Sequence, residues 1–293
     1  MEPDGKEQAR GMTCMVAVYL IWGVLPAYWK LLAGVPPLAV MAHRALWAFV
    51  FLLAALATFY KPKHLFAPLA ERWVLSLHLL ASFSLAVQWT AYLIAVSSGR
   101  LVELSMGYYL YPLVVTFLGW AFLKEKLNRA KIISLALAGA GVAVTIIGYG
   151  RLPVLALVLA GSFSVYSLVK KKIKVNSLNS IFYEILFLLP FALAYIAWFG
   201  MRGRGFFFGT SLGSAGLLIG GGILTAVTLL LFAAGARRIP IFAIGFLQYI
   251  SPTIVLFLGV LAYGENFGPT QWMSFALIWL GVLVYVRHQL AQR

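Results

Sequence analysis

Acidic side chains are scarce in this chain: 8 Asp and Glu stand against 23 Lys and Arg in 293 residues, and charged residues are only 11% of the total. A soluble domain carries about 25% charge and about 45–50% apolar residues. Here 62% is hydrophobic, with a mean hydropathy of +0.93. That imbalance excludes a large soluble core and makes lipid the solvent. The single cysteine, Cys14, excludes an intrachain disulfide and any multi-cysteine metal centre. The four histidines, His43, His64, His78 and His288, lack ligand spacing, so no metal or other cofactor is expected. No G-x-x-x-x-G-K-[ST] run occurs, which argues against nucleotide hydrolysis in this chain. The opening "MEPDGKEQAR" is polar and the apolar run behind it is too long for a signal core, so it is expected to stay as a first span.

What is present is a series of apolar runs near the 20 or so residues that cross a bilayer. They fall at about 11–32, 37–59, 72–96, 102–122, 129–148, 151–169, 177–199, 213–235, 240–262 and 270–289. Punctuated connections such as "GVPP", "YKPKH", "GYGRLP" and "GENFGP" separate them, and no linker is long enough for a soluble domain. The net charge of +15 sits mostly in these loops. Membrane insertion explains that placement, and nucleic-acid binding is not expected. With the N-terminus in the cytoplasm, 17 of the 23 basic residues fall on the inner side and five on the outer, leaving Arg44 inside a span. The excess of positive charge inside therefore predicts ten helices with both termini cytoplasmic. The runs lack the period-two alternation of a barrel, so the spans must be helical.

Shifted by 140 positions, the chain registers on itself without a gap. "FLLAALATF" falls on "FALAYIAWF", Lys30 on Lys170, Tyr109 on Tyr249, Pro112 on Pro252, Glu125 on Glu265 and Gly141 on Gly281. Five spans per repeat is an odd number, so the halves insert with opposite orientation. The expected architecture is all-α and integral to the membrane: ten helices as two inverted five-helix repeats, 1–150 and 151–293. Such inverted halves are a transporter signature.

The same shift places His43 on Tyr183 and Arg44 on Glu184. An intramembrane charge costs roughly 2.5–3.5 kcal/mol on insertion scales, so both should face the protein interior or a water-filled cavity. Arg44 is expected to anchor an anion and Glu184 to serve as cation anchor or protonatable coupling group; a salt bridge between repeats is the structural alternative. Further cavity candidates are His43 and Trp47 on span 2, Trp22 and Tyr28 around Pro26 on span 1, and Gln88, Trp89 and Tyr92 on span 3. Span 4 adds Tyr108, Tyr109, Tyr111 and, near its outer end, the second coupling candidate Glu103; span 9 adds Gln248 and Tyr249. Trp22, Gln88, Trp89, Tyr109 and Tyr249 are expected to border one central cavity. Pro112 and Pro252 read as symmetric bends. Glu125 and Glu265 read as helix-start charges for spans 5 and 10, and Gly216 with Gly220 as a weak close-packing signal.

These residues also carry a family resemblance. "YLIWGVLPAYWKLL", "AHRALWAF", "LSMGYYLYPL", "SFSVYSLVKKKI" and "GFLQYISPT" followed by "YGE" resemble, in order and over essentially the whole chain, the RarD-type permeases. These are the chloramphenicol-sensitivity protein family, in the EamA branch of the drug/metabolite transporter superfamily. The resemblance implies two five-helix inverted repeats, a bacterial inner-membrane location and export of small molecules. The chain departs from the family pattern at Gln88, Tyr111 and Thr228, where the pattern has Asn, Asn and Pro, which puts the substrate in doubt. The expectation is a secondary transporter with a small-molecule substrate, lipid surroundings and protons as candidate coupling ion. A passive channel or lipid flippase is the alternative, and an intramembrane enzyme a more distant one.

Overall fold

The computed structural model describes residues 5–32, 34–59, 65–97, 101–149, 154–204, 206–207, 211–258, 261 and 268–291. Glu265, Gly259, His64 and the loop residues Lys61, Lys63, Arg100, Arg151 and Arg293 lie outside them, as do the side chains of Glu103 and Arg204. Regular structure among the described residues is helical throughout, as expected where hydrocarbon offers the backbone no other partner.

The helices are α1 (Gly5–Lys30), α2 (Pro37–Phe59), α3 (Arg72–Ser97), α4 (Leu101–Leu123), α5 (Arg129–Tyr149), α6 (Val154–Lys172), α7 (Ser177–Phe199) and α8 (Leu212–Ala236), followed by α9 (Ile241–Leu247), α10 (Ile250–Phe257) and α11 (Pro269–Ala291). Seven are long and apolar enough to cross a membrane, and the stretches Gly107–Leu123, Ile241–Ile254 and Trp272–His288 are shorter apolar helices. The ten expected spans are thus present, with one correction. Span 9 is broken at Gln248–Tyr249 into α9 and α10. Pro252 has no N–H for the Gln248 carbonyl and its ring crowds that oxygen; the Ser251 amide reaches it instead, at 3.1 Å. Pro112, its repeat equivalent, lies within an unbroken α4. The two prolines are not symmetric bends.

Packing obeys the exchange of repeats. Contacts of α2 with α8 are mirrored by α7 with α3, of α3 with α6 by α8 with α1, and of α4 with α6 by α1 with α10. α2 with α7 and α5 with α11 meet across the axis that relates the halves. In the last pair the backbones approach closely on both sides: a Cβ on Gly141 would lie 2.7 Å from Ser274 O, and one on Gly281 would lie 2.8 Å from Ser134 O. Small residues at such a crossing let helices touch where no hydrophobic drive separates lipid from protein. The Gly216/Gly220 signal holds in part, since a Cβ on Gly220 would lie 2.8 Å from the Tyr28 hydroxyl of α1. A Cβ on Gly216 would meet nothing within 4 Å, while Gly222 is pressed against Trp47 and the Ala48 amide of α2.

Glu125 also corrects its expectation. Its carboxylate accepts from the Ile241 and Phe242 amides at 2.8 and 3.4 Å, so it caps α9 in the other repeat rather than the start of α5. It belongs to a polar strap at the basic end of the bundle. There Arg238 meets Glu7 at 2.7 Å, Lys171 donates to Ile239 O, and Arg237 donates to Val175 O and Ser177 Oγ.

Candidate functional site

Two polar sites stand at repeat-equivalent places, Arg44 two turns into α2 and Glu184 two turns into α7. They do not meet. Glu184 is fully buried and pairs with Lys170, the residue that the repeat shift places on Lys30. Lys170 Nζ lies 2.7 Å from Glu184 Oε1 and 2.6 Å from Ser180 Oγ. Ser180 Oγ donates to the same carboxylate oxygen at 3.1 Å, and Tyr166 OH to Oε2 at 3.1 Å. Ser82 of α3 donates to the Glu184 backbone carbonyl, and His78 lies in electrostatic reach with its Nε2 unpartnered. Both Glu184 carboxylate oxygens are hydrogen-bonded and two of the three Lys170 N–H groups have acceptors, and pairing with such added hydrogen bonds is the condition under which burial of two charges is tolerated. The alternative of an Arg44–Glu184 bridge between repeats therefore gives way to a bridge within the second repeat.

Arg44 is only half-buried and no carboxylate pairs with it among the described residues. Its guanidinium carbon lies over the Trp29 ring of α1 at 4.7 Å and the Trp89 ring of α3 at 5.0 Å from the centroids. Each indole face attracts the cation, by about 0.5–2 kcal/mol depending on desolvation. Nε donates to Thr225 Oγ1 of α8 at 3.0 Å and Nη1 to Met41 Sδ at 3.4 Å. Thr225 in turn donates to Gly221 O, which leaves its oxygen lone pairs facing Arg44. Tyr92 and Tyr108 lie within electrostatic reach. One turn further along α2, Trp47 Nε1 donates to His43 Nδ1 at 3.2 Å, so the 3.1 Å contact of Nε2 with Phe206 O places the ring proton on Nε2. The His43 ring stacks on Phe207.

The candidates thus separate into groups. Arg44, Trp89, Tyr92 and Tyr108 come together, with half-buried Gln88 one residue before Trp89. His43 and Trp47 form the neighbouring layer. Tyr28 is turned to α8, where its hydroxyl donates to Leu217 O. Trp22 packs among Tyr19, Phe163 and Phe232. Tyr109 and Tyr249 stack on each other at 6.4 Å, with Tyr249 OH donating to Tyr109 O. Tyr111 OH lies 2.8 Å from Ser167 Oγ. Gln248, 2% exposed, leaves Oε1 without a partner. Trp22, Tyr109 and Tyr249 therefore pack into the core shared by the halves, while Trp89 faces Arg44. The Glu103 backbone belongs to α4, but its side chain lies outside the described residues. No metal-holding cluster occurs among the described residues.

Trp29, Thr225 and Lys170 were not anticipated. Trp29 and Lys170 carried a usable signal, since Lys30 beside the first and Lys170 itself are matched across the repeat. Thr225 carried none.

The chain matches the EamA-like transporter family twice, over residues 9–147 and 152–287. It is 38% identical over 288 residues to an uncharacterized transporter of Bacillus subtilis, YojE, covering 97% of this chain and 95% of that one. With the protein RarD of Escherichia coli it shares 34% identity over 283 residues, 97% of this chain and 96% of the relative. A solved crystal structure of a protein 19% identical superposes with a TM-score of 0.72, covering 97% of this chain and 99% of that one, and shows the fold alone.

Proposed function

The chain belongs to the EamA-like transporter family and is a multi-pass membrane permease of the drug/metabolite group, and from that premise we propose that it is a secondary transporter exporting a small metabolite or drug-like molecule across the bacterial inner membrane by alternating access. Residues 1–150 and 151–293 are the two inverted repeats that rock against each other, with the basic end and both termini in the cytoplasm. The observation that carries this reading is the unlike state of two equivalent sites: Glu184 is sealed by Lys170, while Arg44 is half-buried and free of acid partners among the described residues. Exchanging which end is sealed is the movement that inverted repeats allow.

In this reading Arg44 anchors substrate charge among Trp89, Tyr92 and Tyr108, with Gln88, His43, Trp47 and Tyr28 around it. Trp22, Tyr109, Tyr111, Gln248 and Tyr249 join the pathway when the halves part. Glu184 is the coupling group, its proton exchange opposed by Lys170 as long as the pair is intact; Glu103 is the second candidate. Purified protein in liposomes tests the proposal. Saturable counterflow of internal against external solute is expected, and solute flux without counterflow would identify a channel instead. Glu184→Gln is expected to be less stable, and the molecules that stay folded to keep counterflow and lose the dependence of net transport on a pH gradient. Reporters placed after Lys174 and Arg287 should read cytoplasmic and one within 202–205 external; a cytoplasmic reading there would change the span parity and overturn the inverted arrangement.

A further inference from the structure

We propose that the solute Arg44 recognises is a small organic monocarboxylate, gripped through the N–H edge of the guanidinium. The inference rests on the transporter reading for its purpose and on the local geometry for its chemistry. The guanidinium lies over two indole faces, those of Trp29 and Trp89. Those rings take up the space in which a ligand's own aromatic ring would stack. What the site leaves for a ligand is hydrogen bonding in the guanidinium plane. Nε–H goes to Thr225 Oγ1 and one Nη1–H to Met41 Sδ. The remaining donors, both on Nη2 among them, meet no acceptor among the described residues. Two parallel N–H bonds from one side of a guanidinium match the two oxygens of a carboxylate.

Charge balance selects the monoanion. Arg44 keeps its charge at any physiological pH, and among the described residues its immediate neighbours Trp29, Trp89, Met41, Thr225, Tyr92 and Tyr108 are uncharged side chains. A monocarboxylate cancels one positive charge in a half-buried setting. A phosphate-like dianion would carry uncompensated charge out of water, which is strongly unfavourable. The indoles, the Met41 thioether and the tyrosine rings present apolar surface to whatever body the carboxylate carries.

The test is calorimetric titration of the purified full-length protein in detergent, at a pH well above the second ionisation of phenylphosphonate, with benzoate and phenylacetate, and with benzamide, phenylphosphonate and chloride as comparison ligands. At least one carboxylate should bind saturably, and the neutral amide, the dianion and chloride should bind about tenfold more weakly or not at all. Arg44→Lys keeps the charge but loses the planar fork, and should weaken carboxylate binding by about tenfold or more. Its thermal unfolding, measured alongside, reports whether the fold survives. If that variant does not fold, the ligand comparisons on the unaltered protein decide alone. Absence of carboxylate binding, equal binding of phenylphosphonate or chloride, or unchanged binding in a folded Arg44→Lys variant would each overturn the inference. Counterflow of some solute without carboxylate binding would remove this inference and leave the transporter reading standing. Carboxylate binding without counterflow of any solute would do the reverse.

Discussion

Arg44 and Glu184 occupy the same place in the two repeats, yet one is held by aromatic faces and a hydroxyl and the other by a lysine, a serine and a tyrosine. The neighbouring pair repeats the contrast in milder form. His43 reaches the backbone carbonyl of Phe206 in the segment after α7, and Tyr183 donates to that of Leu65 in the segment after α2. The scaffold has therefore kept its two-fold pattern of contacts while the charges on it have diverged. A perfectly symmetric protein would hold its two end states at equal free energy. In the proposed alternating-access cycle, unlike charges at equivalent positions would bias that equilibrium, and a ligand could shift it only through different contacts in the two states.

The contrast predicts a hierarchy of effects, and the ion pair should give the largest. Removing one partner by Glu184→Gln or Lys170→Met leaves the other buried and uncompensated, and should lower stability by about 3–5 kcal/mol. The double change Lys170→Met with Glu184→Met should recover most of that loss, as read by thermal unfolding in detergent. If the singles prove neutral, the two sites are less different than the geometry says.

Close approach at the symmetry axis comes next. Gly281→Val drives a side chain toward Ser134 O and should destabilise by about 1–3 kcal/mol, with Gly141→Val similar because the approach on the Ser274 side is nearly the same. Unequal effects would show that the α5–α11 crossing is also asymmetric. The smallest effect should come from the aromatic side of the Arg44 site. Trp89→Leu removes one cation–π contact and should weaken solute binding by about 0.5–2 kcal/mol, leaving unfolding temperature little changed because Trp89 is only partly buried.

Much of this was legible in the sequence, for reasons that differ from residue to residue. The spans follow from length and apolarity alone, and matched Pro, Gly, Glu and Lys residues at one offset disclose the repeat. The cost of charge in lipid singled out positions 44 and 184. The repeat match of Lys170 to Lys30 marks the partner of Glu184 only weakly, because Lys170 opens a "KKK" run that reads as loop charge, whereas its buried ammonium lies inside the bundle. Glu125 reads as a charge for the helix that follows it, since sequence proximity does not reveal that α9 begins against that carboxylate. The break in span 9 was obscured by Pro112, which shares the motif position and leaves α4 intact. The tyrosines at 109 and 249 were correctly paired by the offset, but the offset does not tell whether such a pair lines a cavity or fills it. In this structure they stack.

The central claim is that the half-buried Arg44 serves recognition while its counterpart Glu184, sealed by Lys170, serves coupling. Solute counterflow by Arg44→Gln, reconstituted at the same amount of folded protein as the unaltered chain, tests it most directly. The account predicts a monodisperse variant of near-normal yield with counterflow abolished. Counterflow at the unaltered rate would contradict it.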